Sequence, residues 1–295
     1  MTALNFADCI GCGLCVLGCP AYEETGFDVL TARGRNKALQ AGLTAPEMTE
    51  SIWACTLCGY CDAICPNEVH NVAVVLHLRR ELAGATDLAP GRVQADRRPA
   101  ARSRALVLGC TIRDRAPHLK RSIEAFLSRI GRPLKAEGDE GCCGSLDVEA
   151  GLAMPARAPA GVVADPICLE QFDGEFLGIL AMQHLDLFDL RPPFYYFAPH
   201  RIINRDHART YPLYDALRRR FGCDMNIDLN RLARSTSAGS VQGLSGENAR
   251  DIRAAVERLL AHSTAERVIT CSPADYLAFK AHSGRETLFI TECLR

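Results

Sequence analysis

From residue 104 onward, short apolar runs alternate with longer stretches in which apolar residues recur every three to four positions. The short runs predict β-strands, at residues 105–109, 162–164, 194–197, 267–270 and 288–290. The longer stretches predict helices, at residues 117–130, 175–188, 211–221, 247–262 and 273–282. Strands that alternate with helices in this order are typical of α/β layers built around a parallel sheet.

The strand and helix pattern also repeats within this region. Residues 106–110 match residues 196–200, and residues 162–168 match residues 268–274. Two similar halves, residues 104–193 and 194–295, predict a pseudo-twofold α/β domain. Any site would lie at the seam between the halves, where the carboxyl ends of the strands meet.

The first part of the chain has a different pattern, with helical periodicity and no strand-like run. Helices are predicted at residues 28–41, 46–53 and 69–82, and the last of them ends at Gly84. Residues 84–103 are rich in proline, glycine, alanine and arginine without periodicity, which predicts a linker. The sequence therefore predicts an α+β protein of two domains, residues 1–83 and 104–295.

The amino-terminal domain contains one cysteine spacing twice. Both copies read C-x2-C-x2-C-x3-C-P, the bacterial ferredoxin pattern for [4Fe–4S] clusters. The ligand candidates are Cys9, Cys12, Cys15 and Cys19 in the first copy and Cys55, Cys58, Cys61 and Cys65 in the second. A zinc site or a disulfide framework is the alternative, but zinc pairs usually lack the third cysteine and the trailing proline.

The spacing within each copy predicts crossed ligation. Three cysteines on a tight loop can reach three corners of one cube, whereas the fourth has left the loop and ligates the other cluster. The predicted ligands of cluster 1 are Cys9, Cys12, Cys15 and Cys65, and those of cluster 2 are Cys55, Cys58, Cys61 and Cys19. The 35 residues between the copies, 20–54, favour an α-helical ferredoxin over a mostly β one.

Composition narrows the function classes. The 34 basic and 35 acidic residues balance, so nothing indicates a nucleic acid or an anionic membrane as partner. No signal segment precedes Cys9, and with 15 cysteines in the chain this favours a metal-binding protein of the cytoplasm over a disulfide-rich secreted one. The longest apolar run, residues 176–182, is too short to span a bilayer, so membrane association is expected only through partners.

Four of the remaining cysteines group in the first half of the α/β region. Cys110 and Cys168 both follow predicted strands, so both should emerge at one edge of the sheet, near the adjacent pair Cys142 and Cys143. Soft sulfur ligands in this number favour a third metal centre, of iron rather than zinc. The alternative is a set of buried, inert cysteines, which are common in protein cores.

A dicluster ferredoxin followed by Cys110, 31 residues and then Cys142-Cys143-Gly144 resembles the CCG-domain iron–sulfur proteins. This family includes the fused catalytic subunits of heterodisulfide reductase, the iron–sulfur subunit of glycolate oxidase and one of the subunits of anaerobic glycerol-3-phosphate dehydrogenase. The resemblance covers nearly the whole chain and implies a noncubane [4Fe–4S] centre. The chain departs from the family at Asp165, which stands where the first cysteine of the closing Cys-x2-Cys is expected.

The second half departs further from the family pattern. His200 takes the place of the first cysteine, and residues 235–237 (Ser-Thr-Ser) take the place of Cys-Cys-Gly. In the closing pair we align Cys271 with Asp165. The second centre of the family is therefore expected to be absent, because oxygen and nitrogen ligands lack the softness that a cluster needs.

These observations predict an iron–sulfur electron-transfer subunit of a multi-subunit oxidoreductase, without catalytic residues of its own. It would relay single electrons between a flavoprotein or another redox subunit and an acceptor. No G-x-G-x-x-G follows a strand, so any flavin is expected on another subunit. The alternatives are a heterodisulfide or thiol reductase acting at the Cys110 group, and an adaptor whose α/β domain holds no metal.

Overall fold

The computed structural model describes residues 4–85, 104–136, 142–152, 157–245 and 249–295. The predicted linker falls outside the described residues, except for residues 84 and 85 at the end of a helix. The same holds for the four residues before Gly141 and for Gly141 itself. The described chain is a mixture of helix and strand, with all its strands after residue 103.

Helices make up the regular structure of residues 4–85. The α-helices are α1 (Pro20–Thr25), α2 (Ala32–Gln40), α3 (Thr49–Ala54), α4 (Tyr60–Ala63) and α5 (Asn71–Ala85). Short 3-10 helices lie at Phe6–Asp8, Leu14–Val16, Asp28–Leu30 and Pro46–Met48. Two of the starts have a clear local cause. Pro20 occupies the first turn of α1, where its missing N–H is not needed, and the Thr31 hydroxyl accepts a hydrogen bond from Gly34 N at 3.2 Å to cap α2.

A three-stranded parallel sheet forms from residues 104–176. Its strands are β1 (Arg104–Val107), β2 (Ala158–Val163) and β3 (Phe172–Phe176), in that order across the sheet. The helices of this region are α6 (Cys110–Arg115), α7 (Leu119–Arg129), α8 (Ser145–Glu149) and α9 (Leu177–Gln183). The predicted helix over residues 175–188 is therefore wrong at its start. Strand β3 passes into α9 without a loop, so no turn residue marks the boundary in the sequence.

A second parallel sheet contains four strands in the order β5-β4-β6-β7. They are β4 (Phe194–Phe197), β5 (Asp224–Met225), β6 (Arg267–Thr270) and β7 (Glu286–Phe289). The helices are α10 (His200–Arg205), α11 (His207–Phe221), α12 (Val241–Ser245), α13 (Ala249–Leu260) and α14 (Pro273–His282). The two-residue strand β5 was not predicted, because so short a segment has no periodicity to detect.

The two sheets share one hydrophobic core. Phe126 and Phe176 from the first sheet region pack in the same cluster as Tyr196, Ile269 and Phe289 from the second. Helical residues 4–85 have a separate core, built around Ile52 and Val75. Burial of this apolar area, at roughly 25 cal/mol per Å², is the main stabilisation of both parts.

Candidate iron–sulfur centres

The first cysteine group surrounds a cavity at the surface of the helical domain. Open space of about 360 Å³ lies between the cysteines of the first loop and the fourth cysteine of the second copy. The sulfur-bearing residues that line it are Cys9, Cys12, Cys15 and Cys65. Cys65 is far from the other three in sequence, so the fold and not the loop brings it here.

The second cysteine group surrounds a second cavity, with about 370 Å³ of open space between its residues and the solvent. Its sulfur-bearing residues are Cys55, Cys58, Cys61, Cys19 and Cys15. Cys15 lines both cavities, so the two lie side by side. The grouping of Cys65 with the first loop and Cys19 with the second is the one that crossed ligation requires.

The backbone of the two loops explains how the thiols come to face inward. Gly13 and Gly59 occupy the same place in the two copies, and both are left-handed, with φ of 85° and 78°. A Cβ at Gly18 would lie 2.3 Å from the Tyr60 ring, so only glycine lets the residue before Cys19 pack against the second copy. Leu57 adopts φ of 54° in the second loop, and its burial in the helical core offsets this strain.

The thiols of both cavities would need a nearby positive charge to ionise at neutral pH. Burial raises the pKa of Cys15 to about 11 and the pKa of Cys58 to about 12. Burial also raises the pKa of Cys61 well above its usual value. These groups would stay protonated at neutral pH unless a positive charge, such as that of iron, stabilised the thiolates. Sulfur donors in this number fit iron–sulfur clusters, so the residues present fit the group.

The loop that lines the second cavity packs against the carboxyl-terminal part of the chain. Asn204, on α10, donates from Nδ2 to the carbonyl of Cys58 at 3.1 Å. The Tyr60 hydroxyl donates to Asp228 Oδ2 at 2.6 Å and accepts from Asn230 Nδ2 at 2.9 Å. Nothing in the sequence spacing indicated these contacts, because they join residues more than 140 positions apart.

The third cysteine group also comes together. Hydrogen bonding to Cys142 raises the pKa of Cys110, and hydrogen bonds from Cys110 and Cys143 lower the pKa of Cys142. Hydrogen bonds with Cys142 and with Cys168 raise the pKa of Cys143. The four sulfurs therefore form one contiguous chain. Cys110 is partly exposed, and the other three are buried.

Asp165 lies at the edge of this group. Its Oδ1 accepts a hydrogen bond from Ile167 N at 3.1 Å and caps the 3-10 helix Pro166–Glu170. Gly109 leaves room for it, because a Cβ there would lie 3.1 Å from Cys168 Sγ and 3.3 Å from Asp165 Oδ2. Burial raises the pKa of Asp165 to about 6. Across the described residues, no three histidine, cysteine, aspartate or glutamate side chains are arranged to hold a single metal ion.

The second half places oxygen and nitrogen atoms where the first half has sulfur. His200 begins α10 as Cys110 begins α6. Its Nε2 lies 3.1 Å from Ser235 Oγ, which also accepts a hydrogen bond from Ser237 N at 2.9 Å. In the first half, Cys142 Sγ likewise accepts from Gly144 N, at 3.5 Å. Thr236 donates to Asp275, as Cys143 hydrogen-bonds with Cys168.

The closing pair of the second half differs from the sequence alignment by one residue. Pro166 and Pro273 each begin a helix, after the cap positions Asp165 and Ser272. Ser272 therefore corresponds to Asp165, and Asp275 to Cys168, while Cys271 precedes the motif. The Cys271 sulfur faces α9, where a Cβ on Gly178 would lie 2.6 Å from it.

The polar group of the second half is deeply buried. Burial lowers the pKa of His200 to about 3 and raises the pKa of Asp275 to about 6. His200 is 4% exposed and Asp275 is 1% exposed. Cys223 and Cys293 are buried elsewhere and belong to the shared core of the two sheets. Among the described residues, none of the helices has the length and apolar character needed to cross a bilayer.

Comparison with known proteins gives one family match. Residues 5–69 match the 4Fe-4S dicluster domain. This stretch contains all eight cysteines of the two copies. The match therefore supports iron–sulfur clusters in the helical domain.

Three relatives illustrate the similarity. The fumarate reductase iron-sulfur subunit of Escherichia coli O6:H1 is 29% identical over 81 residues, covering 24% of this chain and 33% of the relative. The glycolate oxidase iron-sulfur subunit of Escherichia coli K12 is 25% identical over 189 residues, covering 47% and 46%. A subunit of the ferredoxin/F(420)H(2)-dependent CoB-CoM heterodisulfide reductase of Methanosarcina acetivorans is 30% identical over 80 residues, covering 26% and 46%.

The chain spans less than half the length of each of these relatives. All three are named as subunits of oxidoreductases, which is consistent with redox partners. The resemblance predicted from the cysteine motifs is thus confirmed: residues 5–69 match the 4Fe-4S dicluster domain, and the chain is similar to an iron–sulfur subunit of glycolate oxidase and to a subunit of heterodisulfide reductase.

Proposed function

We propose that this protein is the iron–sulfur electron-transfer subunit of a multi-subunit oxidoreductase, relaying single electrons between a flavoprotein-type partner and an acceptor. The observation that supports it most is the sharing of one cavity by Cys65 and the three cysteines of the first loop. That grouping is the one expected of two [4Fe–4S] clusters held side by side, with the fourth cysteine of each motif exchanged between them.

Eight cysteines would hold the two clusters in this proposal. The ligands are Cys9, Cys12, Cys15 and Cys65 for cluster 1 and Cys55, Cys58, Cys61 and Cys19 for cluster 2. When bound, each [4Fe–4S] cluster would supply one-electron chemistry. Around the first cavity, Lys37 Nζ donates to the carbonyl of Cys9 at 2.9 Å and Arg33 Nε to that of Gly11 at 3.0 Å. These cations fix the loop and lie where they would stabilise the negative charge of thiolates.

A third centre is part of the proposal for the α/β domain, residues 104–295. Cys110, Cys142, Cys143 and Cys168 would hold iron and sulfide, with Asp165 at the edge of the group. The equivalent positions of Cys110 and His200 support two halves, 104–193 and 194–295, related by a pseudo-twofold axis. The second half, with oxygen and nitrogen in the place of sulfur, would hold no centre.

The partner would dock over the first cavity. Nine large apolar side chains are exposed among the described residues, and seven of them fall within residues 10–43. Ile10 and Leu14 line the cavity itself, and Leu17 lies beside it. An apolar surface at the mouth of a cluster site suits a protein partner that must come close to exchange electrons.

Iron and acid-labile sulfide analysis of anaerobically purified full-length protein tests this proposal. We expect about twelve irons per chain, from two cubes and the third centre. About eight would leave the two cubes and remove the third centre from the proposal. Colourless protein without sulfide would contradict the proposed function as a whole.

Crossed ligation has its own test in the variant Cys19→Ala. We expect damage to the cluster whose other ligands are Cys55, Cys58 and Cys61, because Cys19 lines their cavity. The cluster of Cys9, Cys12 and Cys15 should stay largely intact in magnetic spectra. The opposite pattern would show that each motif ligates its own cluster.

A heterodisulfide or thiol reductase acting at the Cys110 group is the second candidate. The observation in its favour is that Cys110 is partly exposed, while Cys142, Cys143 and Cys168 are buried behind it. Turnover of a disulfide substrate by the purified chain with an artificial electron donor, lost in Cys110→Ser, would favour this function over a purely relaying one.

A further inference from the structure

Two buried arginines lie between the second cavity and the carboxyl-terminal part of the chain. Arg79, on α5, is 0% exposed. Its guanidinium donates to the carbonyls of Cys55, Ile52 (3.2 Å) and Glu149 (2.8 Å). Cys55 is a proposed ligand of cluster 2, so one end of this side chain is fixed at the loop that would hold the cluster.

Arg201, on α10, is the second buried arginine, at 3% exposed. Its Nη1 lies 2.6 Å from Glu149 Oε1. Its Nη2 donates to the carbonyls of Gly239 at 2.9 Å and Thr56 at 3.4 Å. Thr56 and Cys55 both line the second cavity. Both guanidinium groups therefore meet the same loop.

Glu149 joins the two arginines and links them to the third cysteine group. It is the last residue of α8, the helix that follows Cys142 and Cys143. Its carbonyl accepts from Arg79, and its carboxylate pairs with Arg201 and accepts from Val241 N at 3.0 Å. We refer to Arg79, Glu149 and Arg201 as the buried bridge.

The buried bridge carries two positive charges and one negative charge. Glu170 does not cancel the remaining charge, because its side chain is partly exposed and its Oε1, 3.8 Å from Arg201, pairs with Arg205. Charges held away from water are screened weakly, so they act on a neighbouring group more strongly than surface charges do. Addition of an electron makes a thiolate-ligated cluster more negative, and a buried positive charge nearby favours that change.

We propose that the buried bridge raises the reduction potential of the cluster in the second cavity and fixes that cavity against the helix that follows Cys142 and Cys143. This inference rests on the proposed electron-transfer function and adds the residues that would set the direction of electron flow. Arg79 and Arg201 are positioning residues, since they meet backbone carbonyls of the cluster loop and not its sulfurs.

The test is an anaerobic redox titration of the full-length protein, followed by magnetic spectroscopy of each cluster. Arg201→Met removes a positive charge and should make reduction of cluster 2 about tenfold less favourable, which is about 59 mV for a one-electron couple. Arg79→Met should act in the same direction. Glu149→Gln removes the negative charge and should shift the potential the opposite way.

Arg201→Lys keeps a positive charge at the same place, so the reduction potential of cluster 2 in this variant should be close to that of the unmodified protein. Arg285→Met is the matched control, because Arg285 also donates to three carbonyls, those of Leu260, Ser263 and Ala265. None of these lines either cavity, so this variant should lose stability without moving either potential.

Opposite shifts in the Arg201 and Glu149 variants are the decisive result, because loss of packing alone would not change sign with charge. Shifts in one common direction, or equal shifts in Arg285→Met, would overturn the inference while leaving the clusters in place. Absence of iron and sulfide from the unmodified protein would instead overturn the proposed function itself.

Discussion

The two halves of the α/β region place different atoms at matching positions. In the first half, Cys142 and Cys143 meet the sulfurs of Cys110 and Cys168. In the second half, Ser235 meets His200, and Thr236 meets Asp275. The loop geometry is similar, because Gly144 and Ser237 both adopt a left-handed conformation, with φ of 75° and 66°.

The difference shows that one loop geometry is compatible with two different sets of side-chain contacts. The hydroxyl, imidazole and carboxyl groups of the second half hydrogen-bond with each other, so the chain itself supplies partners for these buried groups, with the exception of His200 Nδ1. Sulfur pairs make weaker hydrogen bonds and bind iron strongly. With the proposed third centre bound, the first half would depend on that centre for its stability, whereas the second half depends on its hydrogen bonds.

The largest expected effect is on metal content. Cys143→Ser should remove the third centre and lower the iron content by about four atoms per chain, because a hard hydroxyl is a poor ligand for a cluster. The matched variant in the other half, Thr236→Ser, should leave the iron content unchanged. Equal iron content in Cys143→Ser and the unmodified protein would show that the first half, like the second, holds no metal centre.

The second effect is on stability. Thr236→Val should lower the free energy of unfolding by about 1–3 kcal/mol, because it removes one of the two hydroxyls, those of Thr236 and Ser272, that hydrogen-bond with the buried Asp275 carboxyl. Thr236→Ser retains the hydroxyl and should lose much less. Urea denaturation under anaerobic conditions measures both. A loss as large in the serine variant would point to packing of the methyl group and not to the hydrogen bond.

The third effect is on pH dependence. The pKa of His200 falls from 6.5 to about 3 because the ring is buried, so the unfolded chain binds a proton that the folded chain does not. The contribution of His200 to stability is complete above pH 6.5. It falls by up to about 1.4 kcal/mol per pH unit as the pH drops toward 3.

His200→Gln should flatten this part of the stability profile. Asp165 and Asp275 work in the opposite sense, since burial raises the pKa of each to about 6, and the stability that each contributes at low pH is lost between 3.8 and 6. Both are present in the variant, so the difference between the two profiles isolates His200. If the two curves of unfolding free energy against pH were parallel, the His200 ring would be protonated as readily in the folded protein as in the unfolded chain.

The smallest effect concerns Ser145, whose hydroxyl donates to the carbonyl of Ile167 at 2.9 Å and lies 3.2 Å from Cys143 Sγ. The equivalent residue of the second half is Ala238. Ser145→Ala should therefore cost only about 1 kcal/mol in the free energy of unfolding. An additional loss of iron in this variant would show that the hydroxyl also supports the third centre.

Helical periodicity predicted the helices before residue 84, and the cysteine spacing predicted which sulfurs share each cavity. It placed Cys65 with the first loop and Cys19 with the second, because the spacing itself limits which sulfurs can face one cube. The alternation after residue 104 likewise predicted parallel strands. Strand β3 was missed because it runs directly into α9.

The contacts between the second cavity and the carboxyl-terminal part of the chain could not be predicted from the sequence. Arg79 and Arg201 look like ordinary surface arginines in a helical pattern, and only the fold shows that both are buried. The sequence alignment of the closing pair is off by one residue, because Cys271 lies just before the motif and Ser272 takes the place of Asp165. The better marker was Pro273, which begins α14 as Pro166 begins its 3-10 helix.

The hydrogen bond from Asn204 to the carbonyl of Cys58 has a consequence for dissection of the protein. A fragment that ended at residue 85 would keep all eight cysteines and Arg79 but would expose that carbonyl, and the carbonyl of Thr56, to water. Such a fragment would carry its electrons at a different energy from the same residues in the whole chain. The second half, which has no cysteine at these positions, would thus still influence redox chemistry, because its side chains contact the loop that would hold cluster 2.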